Sequence, residues 1–182
     1  MNRFECELYK EMYYHEIYQK EVINNRISIP VGIISLLVGV AYFYISSEKN
    51  VVLNFWGVTF FILLSLFIIS LVLAVYFCAR AYYNYEYAYI AMPEEIHKYS
   101  DGYDDYYEGE DNKENLVKNE VDLFLAEQYM KATHRNRKNN EIKIAYLRFA
   151  SLTLLIALSL AALCIYPFHV SFSEAIPVIK VI

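Results

Sequence analysis

The chain has 182 residues, 57% of them hydrophobic and 20% charged, with a net charge of −5. Three long apolar runs leave roughly 110 residues outside them, enough for helical extensions but excluding a large globular domain. The net charge averages two unlike patches and says nothing about partners. Cys6, Cys78 and Cys164 make no disulfide framework and read as small packing residues.

Residues 1–26 carry Arg3, Lys10, Lys20 and Arg26 among five glutamates, too long and too acidic a flank for a cleaved signal peptide. They predict an amphipathic helix with Phe4, Leu8, Met12, Tyr18 and Val22 on one face, loosened at Asn24 and Asn25. Ser28 then caps a new helix with Pro30 in its first turn. The apolar runs cover residues 27–46, 52–79 and 144–167, with Arg148 their only formal charge. Each reaches the roughly 20 residues needed to cross a bilayer, and none has a polar stripe. The expected fold is an all-α integral membrane protein: a transmembrane hairpin over 27–79, a cytoplasmic helical region over 80–143, a third span over 144–167 and an outside tail over 168–182.

Span two is expected to continue through AYYNYEYAYIAM to Met92, a helix of roughly 60 Å. Residues 93–112, with Pro93, Gly102, Gly109 and an acidic run, read as a poorly ordered linker. From Glu114 to Tyr166 there is neither Gly nor Pro, so one helix of roughly 80 Å fits there. Pro177 rules out a continuous helix through the tail. Orientation follows from Lys and Arg: thirteen lie in residues 1–26 and 80–143, and only Lys49 and Lys180 in the hairpin loop and tail. The N-terminus and middle segment are therefore expected in the cytoplasm and the C-terminus outside, in a bacterial inner membrane.

Asp101, Asp104, Asp105, Glu108, Glu110 and Asp111 lack calcium-loop spacing and read as a solvated run. Lys131, His134, Arg135, Arg137, Lys138 and Lys143 are candidates for anionic lipid or a nucleotide or oligonucleotide signal; a topology signal at the headgroups is the plainer reading. Asn136, Asn139 and Asn140 beside them suggest interhelical hydrogen bonds or a hinge. The tyrosines of AYYNYEYAYI read as packing between helical extensions, with nucleobase stacking the sharper alternative. Ser70 and Ala74 in span two, and Ala150, Ala157 and Ala161 in span three, recur at helical spacing. They suit close helix approach, either within the chain or in a homo-oligomer. Histidines 15, 97, 134 and 169 are scattered, so neither a metal, a cofactor nor catalytic residues are expected, and the chain reads as non-enzymatic.

The stretches LYKEMYYHEIYQKEVINNRISIPVGIISLLVG (Leu8 to Gly39) and ATHRNRKNNEIKIAYLRFASL (Ala132 to Leu152) resemble the SLATT-like small membrane effectors of bacterial anti-phage systems. They cover a little under a third of the chain, and the third span and tail depart from the two-span pattern of that group. The resemblance implies a membrane-permeabilising homo-oligomer, released when infection is sensed by a nearby sensor protein or signal, with no duplex nucleic acid bound. A membrane-anchored scaffold that recruits a cytoplasmic protein is the alternative.

Overall fold

A computed structural model describes residues 3–47, 51–83 and 85–175. It is all-helical among those residues: α1 (Arg3–Ser47), α2 (Phe55–Tyr82), α3 (Pro93–Tyr106) and α4 (Lys113–Ala175). The chain divides into two compact units. One comprises Met1–Ile23 and Asn84–Ile142, the other Asn24–Tyr83 and Lys143–Ile182. We call them the tyrosine-rich unit and the apolar unit; α1 and α4 supply residues to both.

In the apolar unit three helices bury one narrow stripe each. On α2 the buried positions are Gly57, Phe60, Leu64, Phe67, Leu71, Ala74, Cys78 and Ala81, a strict alternation of three and four. On α1 they are Leu37, Ala41 and Tyr44, and on α4 Leu154, Ala157, Ala161 and Cys164. This is the 3.5-residue seam of left-handed helix packing. Tyr44 anchors it, donating its hydroxyl to the Ala161 carbonyl at 3.0 Å and packing its ring edge-on to Phe60 and Phe168. The remaining faces are apolar and exposed, as at Leu36, Leu53, Phe55 and Leu155. Among the described residues three helices are long and apolar enough to cross a membrane, with only 28% of each hydrophobic window buried inside the chain.

Four expectations need correction. First, α1 does not break at Asn24 and Asn25, and Pro30 lies inside it. A mid-helix proline costs roughly 3 kcal/mol. Burial of Ile23, Ile27 and Pro30 on one stripe opposes that, and Asn24 accepts a hydrogen bond from Lys143 instead of turning back on its own backbone. Second, α1 does not bury its Leu8 and Met12 face, which stays exposed with Tyr18. The inward face carries Tyr9, Tyr13 and Ile17, matched to Tyr129 and Ala132.

Third, α2 stops at Tyr82: Tyr83 is extended, its N–H closing the last turn on the Ala79 carbonyl, and residues 85–92 are not helical. Fourth, the supposed linker contains α3. Pro93 starts it, and the Glu95 carboxylate accepts from the Met92 N–H. The turn that follows uses Gly109 at φ +94° and is tied by a 2.7 Å ion pair between Lys113 and Asp104. Then α4 runs for 63 residues, about 95 Å, straight through Pro167. Pro177 lies outside the described residues.

The small residues assigned to oligomer packing are used within the chain. Ala74, Ala150 and Ala157 have no exposed surface, Ala161 is buried and Ser70 half-buried. Ala157→Phe therefore overpacks the seam and should destabilise the purified protein by roughly 1–3 kcal/mol. Leu158→Phe, one residue on at a position 52% exposed, should leave thermal unfolding in detergent unchanged.

Candidate functional site

The densest polar chemistry lies in the tyrosine-rich unit, where the non-helical segment 85–92 is clamped between α4 and α1. The sequence reason is a period of two. Tyr85, Tyr87 and Tyr89 alternate with Glu86, Ala88 and Ile90, a pattern that suits an extended chain. An extended segment must find partners for its backbone groups, and here α4 supplies them from side chains. Asn136 accepts from the Ala88 N–H at 2.8 Å and donates to the Ala88 carbonyl at 2.9 Å. One carboxamide thus replaces the two bonds a neighbouring strand would make. Asn139 donates to the Glu86 carbonyl at 2.8 Å.

Asn140 joins the segment to α1. Its Oδ1 accepts from the Tyr87 hydroxyl at 2.6 Å, and its Nδ2 reaches both the backbone carbonyl and the carboxylate of Glu16 at 2.8 Å. From the same helix Lys20 places its ammonium 4.6 Å from the centre of the Tyr87 ring and donates to the Tyr89 hydroxyl at 3.1 Å. Arg135 closes the outer side with a 2.6 Å ion pair to Glu86. Asn136 is fully buried and Asn140 nearly so. Both are paired, as buried amides require.

Burial shapes the titration of the phenols. Tyr87 is pushed up from 10.0 to about 12, first by burial and then by Tyr85, Glu16 and Tyr89. Tyr13 and Tyr129 are also raised, chiefly by burial, with a backbone hydrogen bond at Ile90 partly offsetting the shift at Tyr13.

The six basic candidates do not form one bare patch. At about 100° per residue, Lys131, His134 and Lys138 fall on the side of α4 opposite Asn136 and Arg135 and Arg137 on its flanks, and all five are exposed. Lys131 pairs with Glu127, Arg137 with Glu141 and Arg135 with Glu86. Among the described residues, His134 and Lys138 have no such partner. Lys143 is on the asparagine side, 3% exposed, and donates to Asn24 Oδ1. It belongs to the apolar unit's end and is not a surface contact for lipid phosphate. The asparagines were visible as a sequence signal. Glu16 and Glu86 carried no signal of their own, Lys20 entered only through the orientation, and Tyr87 was read with its neighbours as packing between helical extensions, although their period of two marks an extended segment.

Among the described residues no three His, Cys, Asp or Glu side chains gather into a metal-binding group. Comparison of the chain with protein-family models, with curated proteins and with solved structures finds no match.

Asn136→Leu keeps the volume but leaves the Ala88 N–H and carbonyl without partners, at about 1–3 kcal/mol each. Segment 85–92 should then become a site of limited proteolysis, with Asn139→Ala, which removes one bond, giving a weaker effect. Alkali should act through Tyr87. Its raised value means the folded state holds the proton longer than the unfolded chain does. The stabilisation is therefore complete below pH 10 and lost as pH climbs towards about 12. Tyrosinate absorbance and helical circular dichroism should change together over that window, and Tyr87→Phe should flatten the dependence.

Proposed function

We propose that the chain is a three-span bacterial inner-membrane protein, with its N-terminus and residues 80–143 in the cytoplasm and its C-terminus outside. In this reading it is a non-enzymatic effector of anti-phage defence whose homo-oligomers permeabilise the membrane once triggered. The observation that carries the reading is the continuity of α1 and α4. Among the described residues α4 is one helix from Lys113 to Ala175, and from Glu114 to Tyr166 it has neither Gly nor Pro. No break intervenes to absorb a rotation imposed where segment 85–92 is clamped. Release of that segment is the trigger, and the outward apolar faces, rather than the small residues of the seam, carry the assembly.

The basic residues that set the orientation also leave His134 and Lys138 for an anionic signal or lipid headgroup. The second reading, a membrane-anchored scaffold, draws on α3, which buries none of its residues and carries much of the acidic run.

Two measurements test this. In a background without Cys6, Cys78 and Cys164, Ser47→Cys should be labelled by an impermeant reagent outside intact cells and Ser100→Cys should not; labelling of the latter reverses the orientation. A membrane-potential dye should report depolarisation when cells carrying the gene and its neighbours meet phage. Asn136→Leu should shift the threshold for that response. A wild type that never depolarises under infection removes the effector reading and leaves the scaffold.

A further inference from the structure

We propose that the tyrosine ladder of α3 is a docking groove for an arginine-rich segment of a partner protein. Tyr99, Tyr103 and Tyr106 share one face of α3 and Tyr107 follows at its end; with Glu95, Lys98 and Glu120 they line a groove of 730 Å³. The rings form a graded array. Tyr99 lies on Phe124 of α4 with centroids 4.2 Å apart, Tyr103 stands 5.0 Å from Tyr99 and stacks on Tyr107 at 6.1 Å. Packing accounts for only part of this face: Tyr99, Tyr103 and Tyr107 are half-buried, and Tyr106 is 76% exposed.

The chemistry around the rings selects a cation. Phenol faces attract positive charge, and two carboxylates border the groove. Lys98 also lines the groove, and the segment 93–112 outweighs that one lysine with Glu94 and the acidic run. An open groove leaves its occupant partly hydrated, which favours guanidinium over ammonium. Guanidinium is more weakly hydrated, stacks flat on an aromatic ring and forks onto a carboxylate, whereas an ammonium is a compact and strongly hydrated charge. The volume far exceeds one guanidinium group. The ladder spans about 12 Å, a length that three alternate side chains of an extended peptide, each about 6.6 Å from the next, would cover. The occupant is therefore a peptide segment rather than a free small cation. The inference does not depend on what the apolar unit does in a membrane.

The test uses the full chain in nanodiscs of zwitterionic lipid, which give an arginine peptide no anionic surface. A short fluorescent oligo-arginine peptide should bind saturably by anisotropy, and an oligo-lysine of equal length several-fold more weakly. Tyr106→Leu and Tyr103→Leu should each weaken binding roughly three- to fivefold, Tyr106→Phe should preserve it, and Glu120→Gln should weaken it. Tyr106 is exposed, so its variant keeps the fold, as unchanged helical circular dichroism will verify. Absence of binding, equal affinity for oligo-lysine, wild-type affinity in both leucine variants, or displacement by spermine at equal concentration would each overturn the proposal.

Discussion

Everything in this chain is organised by the register of two long helices. On α1 the inward positions run Tyr13, Glu16, Lys20, Ile23, Ile27, Pro30, Ile34, Leu37, Ala41 and Tyr44, and on α4 from Tyr129 through Asn136, Asn140 and Lys143 to Cys164. Both sequences alternate threes and fours, so within each unit each helix keeps one side inward. What changes along that side is its chemistry. In the tyrosine-rich unit it is amide, carboxylate, ammonium and phenol; in the apolar unit it is alanine, leucine and cysteine. The same geometric rule thus serves a hydrogen-bonded interior and a lipid-compatible one.

That register explains why the prolines lost. Pro30 and Pro167 each remove one backbone hydrogen bond, but both sit at inward positions where neighbouring side chains pack. Phe168, next to the second, touches Phe43, Tyr44 and Phe60. A local break would move every later residue off its stripe, a loss spread over several buried groups. Local propensity is a weak guide when the alternative forfeits so much packing.

The apolar runs were legible because three helices without a polar stripe have few other solutions, and the four-residue and 3.5-residue spacing of small residues marked the seam. The extended segment was misread because it is as apolar as a helix and has no breaker before Pro93; its two-residue period was the better signal. The helix in the acidic stretch was obscured because its many like charges suggested solvation. Its cap at Pro93 and Glu95, and the tyrosines one and two turns apart, argued the other way. Which basic residues point outward was readable from helical angle alone, while the ion pairs of Arg135 with Glu86 required the extended segment to be in place.

The clamp on residues 85–92 has a consequence for biogenesis. Ala88 is made 48 residues before its partner Asn136, so this aromatic segment has only water for its backbone groups until α4 is made. Such a segment is a template for pairing with other nascent chains. The acidic stretch that follows it, from Glu94 to Asp111, is made before α4, and like charge of that kind disfavours such pairing. The charges that obscure α3 in the sequence thereby protect the segment in front of it until the asparagines arrive.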